Sequence, residues 1–196
     1  KEALILTGDQ SIVDLQFATP EAVEQAIYAP PVEAIERPYS LEEIRFNERI
    51  RDKVVRIDLD TITFATGSAE VSVDQIDDLE YIGYYMAQAI QQNPSEVFLV
   101  EGHTDLVGTN ASNLLLSDRR AEKVALILSQ YMGIPPENLV TQGYGEEYPK
   151  VPTQAAEPLN RRVTIRKITE LIGGGQLAAA TPMPPAPPPP PPLRNP

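Results

Sequence analysis

The chain has 196 residues, no cysteine and a formal net charge of −12. That length allows one medium domain with flanking segments, or two small ones, and without cysteine it holds no disulfides, thiolate metal sites or thiol nucleophiles. A surface this acidic repels phosphate backbones and anionic headgroups, so nucleic acid is not an expected partner, and no apolar run reaches the roughly 18 residues that a membrane-spanning helix needs.

Most of the 20 prolines fall around Pro30–Pro38 and from Pro182 onward, which leaves a foldable part of about Val54 to Ile168. Residues 1–53 read as a linker or partly ordered segment. Within it Ile5, Ile12, Val13, Leu15 and Phe17 give a loose strand-like pattern, and Glu21–Tyr28 has two helical turns' worth of residues before Pro30-Pro31. Ser40 and Glu43 stand at capping-box spacing ahead of a short helix reaching about Arg49. Because Lys1 opens the chain with no export signal in view, any signal or membrane anchor is expected upstream, and contact with a membrane only through such a segment.

From Val54 the pattern sharpens. Val55, Ile57 and Leu59 alternate with polar residues and predict a half-buried strand ending near Phe64. After the Thr66–Ala69 loop, Ser72 and Gln75 again have capping spacing, and Ile76, Leu79, Ile82, Met86 and Ile90 follow at helical intervals up to Asn93-Pro94. Val97–Val100 reads as a buried strand. A second long helix is expected from near Ser117 to about Met132, with Ala121, Val124, Ala125 and Leu128 inward and Gly133 as its C-terminal cap. Leu139–Thr141 and Arg162–Ile168 supply two more strands. The resulting fold class is α/β, a two-layer βαβαββ sandwich whose small mixed sheet carries helices on one face. Residues 54–171 form this domain, and 172–196 a Gly/Ala/Pro-rich tail of polyproline character.

Polar residues concentrate after the strand Val97–Val100: Glu101, His103, Thr104 and Asp105, then Gly108 and Asn113, then Ser117 to Arg120. Asp105 is placed in the loop beyond a strand's C-terminal end, where ligands are commonly bound. Arg120 is placed in the first turn of the next helix, where the helix dipole disfavours a cation and an acidic partner or ligand is expected. His103 is the single histidine, so no zinc site is available and no cofactor is expected. The sequence contains no nucleophile elbow. His103 reads as a loop-shaping residue whose ring bonds nearby backbone, and Glu101 with Asp105 makes only a weak case for the paired carboxylates of a glycan hydrolase.

The run from Gly102 to Ala121, GHTD-x-x-G-x-x-x-x-N-x-x-LS-x-x-RA, resembles the signature of the OmpA-like peptidoglycan-binding domain. Phe64 with Gly67-Ser68-Ala69, Gly143–Glu146 with Pro149, and Asn160–Val163 resemble further family motifs in the same order. The resemblance implies a non-enzymatic, wall-anchoring module of the periplasm, associated with the outer membrane, whose partner is peptidoglycan. It further implies that Asp105 and Arg120 hold the diaminopimelate of the stem peptide, the aspartate accepting from its ammonium and the guanidinium forking onto its carboxylate. Thr104 and Asn113 are expected to add hydrogen bonds, and Phe64 with the Gly67-Ser68 backbone a wall. Arg161 or Arg162 is expected to reach a ligand carboxylate, with the family pattern favouring Arg162. The bland alternative is a simple salt bridge between Asp105 and Arg120. Other readings are the wall foothold of a stator or membrane scaffold, or a wall hydrolase.

Overall fold

The computed structural model describes residues 12–16 and 18–174. The proline-rich tail lies outside those residues, as do Ile5 and Phe17 of the first strand-like pattern. Along the chain run β1 (Ile12–Asp14), α1 (Pro20–Tyr28), α2 (Leu41–Phe46), α3 (Glu48–Arg51), β2 (Arg56–Asp58), α4 (Val73–Ile76), α5 (Glu80–Gln92), β3 (Phe98–Gly102), α6 (Asn110–Met132), β4 (Leu139–Gly143) and β5 (Val163–Lys167). The strands form one five-stranded sheet in the order β1-β2-β5-β3-β4. It is mixed: β1 runs parallel to β2 and β3 to β4, while β5 is antiparallel to both β2 and β3.

Strand alternation divides the interior in two. Phe98, Val100, Val163 and Ile165 face the long helices and join Ile82, Met86, Val124 and Leu128 in the main core. Leu99 points the other way and packs with Ile44, Ile50, Val54, Ile168 and Leu171. The helices therefore lie mainly on one face, as expected, while short α2 and α3 lie against the other. The strand, helices and capping box of residues 12–51 are integral to this arrangement. Thr19 caps α1, its Oγ1 accepting from the Ala22 N–H at 3.2 Å, and Ser40 with Glu43 closes the capping box that starts α2.

Two expected boundaries move. The strand foreseen through Phe64 keeps only Arg56–Asp58, because the chain turns at once, the Ile62 N–H bonding the Leu59 carbonyl at 2.9 Å. Helix α6 starts at Asn110, two turns before Ser117, with Thr109 as its cap and Ser112 answering in a capping box. Arg120 thus lies in the third turn rather than the first. Polar Asn113, Ser117 and Arg120 are all buried on α6, which is why a hydrophobic pattern did not announce its opening turns.

A second buried layer is ionic. On the α2–α3 face, Glu101 Oε1 accepts from Arg166 Nε at 3.0 Å and lies 3.3 Å from Arg51 Nε, while Oε2 accepts from the Thr164 hydroxyl at 2.7 Å. Arg51 stacks its guanidinium over Tyr144 and Tyr148, 4.2 and 4.7 Å from the ring centres. It also donates to the carbonyls of Ile44 and Arg45 at 2.9 and 2.8 Å. The network ties the N-terminal helices to the turn that follows β4.

Helix α6 lies directly on the ends of β3 and β4. Gly102 and Gly143 are opposite each other in the sheet, and a Cβ on Gly102 would overlap the Ser117 carbonyl oxygen. Only glycine permits that approach. Gly102→Ala is expected to lose about 1–3 kcal/mol or more of unfolding free energy in urea titration, as forced overpacking does; an unchanged midpoint would show that α6 does not need this contact.

Candidate ligand cleft

Three residue rows on α6 organise the region. Asn113, Ser117 and Arg120 face inward; Ser112, Leu116 and Arg119 look to one side of that row, and Asn110, Leu114 and Asp118 to the other. Ser117 and Asp118 fasten the following turn, Gly145 N–H donating to Ser117 Oγ at 2.8 Å and Gly143 N–H to Asp118 Oδ1 at 2.7 Å. Thr104 N–H in turn bonds the Gly145 carbonyl at 2.8 Å. The loop after β3 is thereby held against the helix before any ligand arrives.

A cleft of about 420 Å³ opens between the 65–68 loop, the 104–108 loop and α6, with Thr104, Asp105, Asn113, Arg119, Arg120 and Arg161 in its walls. Arg120 is fully buried, and its Nε, Nη1 and Nη2 donate to the carbonyls of Ser68, His103 and Ala65 at 2.9, 2.9 and 3.3 Å. Its guanidinium carbon sits 4.8 Å from the centre of the Phe64 ring. Burial, opposed by Asp105 and reinforced by Arg161, lowers its pKa to about 10, so it remains charged at neutral pH. Three of the five N–H donors of this guanidinium are used. Among the described residues no carboxylate lies within 4 Å of it.

Asp105 is paired, but not with Arg120. Its Oδ2 accepts from Arg161 Nη1 at 2.8 Å and from the Glu157 N–H at 3.3 Å, and Oδ1 from the Val107 N–H at 3.2 Å. Arg161 also holds the Phe64 carbonyl at 2.9 Å. Asn113 Nδ2 bonds the Asp105 carbonyl at 3.3 Å and the Glu146 carboxylate. The Thr104 hydroxyl is buried in the cleft wall with no hydrogen-bond partner among the described residues, and an orphaned buried hydroxyl asks for one.

Of the expected site residues, Asp105, Arg120, Thr104 and Asn113 share this cleft. Phe64 is a core residue whose ring backs Arg120. The placing of Arg162 here is corrected: it lies on the opposite side, donating to the Tyr148 carbonyl at 3.0 Å, and Arg161 occupies the cleft. Alternation held the signal. Val163 and Ile165 face the helices, so Arg161 shares their side and Arg162 does not. Gly67 lines the cleft as expected, and Arg119 and Thr66 also line it and were not foreseen. Glu101 lies outside it, paired across the sheet, so it makes no carboxylate pair with Asp105.

His103 is corrected too. Among the described residues its ring bonds no backbone; it stacks on Tyr144 with centres 5.6 Å apart, and Nε2 stands 3.7 Å from Glu101. Burial, aided by Arg162 and opposed by Glu101, lowers its pKa to about 3. For Glu101, burial alone would raise the pKa, but Arg166, His103 and Arg51 hold it well below the usual range.

These residues fall within a recognised pattern. The OmpA family model matches residues 63–162, and the chain belongs to that family. It is 37% identical over 113 residues to outer membrane porin F of Pseudomonas aeruginosa, covering 57% of this chain and 31% of that protein. It is also 39% identical over 90 residues to the peptidoglycan-associated lipoprotein of Haemophilus influenzae, covering 44% and 58% respectively. The chain therefore spans about a third of the porin F relatives it matches. The crystal structure of the peptidoglycan-associated lipoprotein from Burkholderia pseudomallei aligns with 27% identity and a TM-score of 0.46, over 54% of this chain and 86% of that one.

The neutral buried histidine sets a pH dependence. Its folded pKa of about 3 lies below the ordinary 6.5, so the unfolded state binds the extra proton and stability is lost as pH falls from 6.5 towards 3. Asp60, raised to about 6 by burial and by Asp14, acts in the opposite sense below that pH. The difference between wild type and His103→Gln isolates the histidine. Its contribution is expected to shrink by about 2 kcal/mol between pH 7 and pH 5, measured by denaturant unfolding; parallel pH profiles for the two proteins would show that His103 does not titrate in this way.

Proposed function

We propose that the domain binds peptidoglycan non-covalently through the diaminopimelate of its stem peptide, and that it anchors an envelope component to the wall without catalysis. The observation that carries this reading is the buried Arg120 guanidinium, charged, pinned by three carbonyls and without a carboxylate of its own among the described residues. A cation so placed favours an anionic ligand group strongly, because water cannot solvate it and the protein offers only dipoles. Its two remaining donors match a carboxylate. Asp105 Oδ1, with one N–H accepted so far, has capacity for an ammonium. The free end of diaminopimelate carries both groups on one carbon, and the unpartnered Thr104 hydroxyl adds a hydrogen bond.

Membership of the OmpA family and relatives named as peptidoglycan-associated lipoproteins support the choice of polymer. On this reading the protein works in the periplasm in association with the outer membrane, and the wall-binding unit takes in β1 and the helices of residues 20–51 as well as residues 54–171. Many weak contacts along the sacculus suffice for retention.

Asp105→Ala and Arg120→Lys are each expected to weaken co-sedimentation with isolated sacculi by roughly ten- to a hundredfold, the worth of a charge-assisted hydrogen bond, with circular dichroism unchanged. Walls built with lysine in place of diaminopimelate lack the carboxylate and should bind correspondingly less. Equal retention on both wall types, or by the variants, would contradict the assignment.

A further inference from the structure

On the other side of the buried α6 row lies a second cavity of about 270 Å³, walled by Arg45, Phe46, Asn110, Leu114, Tyr144 and Glu146. Phe46 is 74% exposed and Leu114 42%. An aromatic ring that far into water is unusual at a helix end, and here the backbone behind it is fixed. Ile44 turns into the second core, and buried Arg51 clamps the carbonyls of Ile44 and Arg45 at 2.9 and 2.8 Å. Arg45 reaches the Gly143 carbonyl at 3.4 Å. The ring is thus displayed from an immobilised turn rather than from a loose one.

The cavity adjoins the arginine cleft. Glu146 forms part of its wall and receives the amide of Asn113, whose side chain lines the cleft and also bonds the Asp105 carbonyl. The two spaces differ in charge. The cleft carries three arginines against Asp105, whereas the second cavity has Glu146 and Glu147 against Arg45. A ligand spanning both therefore needs carboxylates at one end and, at the other, a neutral group that has hydroxyl or amide donors for the glutamates and an apolar face for the phenyl ring. A pyranose ring has that form: C–H groups on one face, hydroxyl and acetamido donors round the edge. The volume suits one ring rather than a long segment of polymer.

We propose that Phe46, with Leu114 and the Tyr144–Glu147 turn, forms a sugar subsite that takes a neutral hexosamine ring of the glycan strand while the arginine cleft holds the peptide branch. The proposal rests on the peptidoglycan reading and extends it. Arg45 and Phe46 lie outside the matched residues 63–162, so the N-terminal helices of this chain complete a subsite whose other wall, Leu114 and the Tyr144–Glu147 turn, lies within them.

Binding of two soluble probes separates the ideas: a diaminopimelate-containing tetrapeptide, and the same tetrapeptide on its disaccharide. Titrated into wild type, Phe46→Ala and Phe46→Tyr, the disaccharide-peptide should bind wild type and Phe46→Tyr roughly three- to tenfold more tightly than it binds Phe46→Ala, the worth of an aromatic contact. The sugar-free tetrapeptide should bind all three alike. Equal binding of the disaccharide-peptide by wild type and Phe46→Ala overturns the sugar subsite while leaving the peptide reading intact. No binding of the tetrapeptide by wild type overturns the peptide reading, and this subsite with it.

Discussion

A guanidinium that stays charged at neutral pH, buried among carbonyls from two separate loops, is the constraint around which this domain is arranged. Arg120 draws Ala65, Ser68 and His103 to one point, so the loop after β2 and the end of β3 are positioned by the same charge. Carbonyl dipoles and the Phe64 ring stabilise it in part, but they do not neutralise it. In a chain of net charge −12 the cleft around this residue gathers three arginines against one aspartate. The local field is opposite to that of the molecule as a whole. That contrast makes the recess a favourable place for a small anionic group.

The scaffold supports the recess from both faces of the sheet. On the helical face, Gly102 and Gly143 let α6 descend onto the strand ends, and Ser117 and Asp118 then bond the turn at Gly143–Gly145. On the opposite face, Glu101 lies between Arg51 and Arg166, and Arg51 stacks on Tyr144 and Tyr148. Buried ion pairs contribute little net stability once desolvation is counted, yet removing one partner is costly. Their effect here is geometric. They register the N-terminal helices against the very turn that borders the cleft, so residues ahead of the matched family region shape its surroundings.

How much of this was legible in the sequence depends on whether the signal was local. Alternation at Val55–Leu59 and Val163–Lys167 revealed strands, and Gly133 marked the end of α6, because each depends on neighbours in the chain. That Asp105 and Arg120 share one cleft was legible through the motif from Gly102 to Ala121. The opening turns of α6 were hidden because their buried side, Asn113 and Ser117, is polar, so hydrophobic periodicity begins only at Ala121. Arg161 was passed over for Arg162 although the alternation of β5 separates them. The Arg51–Glu101–Arg166 network joins positions 50 and 65 residues apart, a distance at which no spacing rule speaks. Phe46 gave no hint of exposure, since an aromatic residue beside Ile44 reads equally well as core.

The most direct test of the central claim is a nuclear magnetic resonance titration of the labelled protein with free meso-diaminopimelate. The account predicts saturable shifts confined to the backbone of Thr66-Gly67, Thr104–Gly108 and Asn113 and to the side-chain Nε–H signals of Arg120 and Arg161. Saturable shifts clustered elsewhere, or none at concentrations that saturate binding to sacculi, would contradict it.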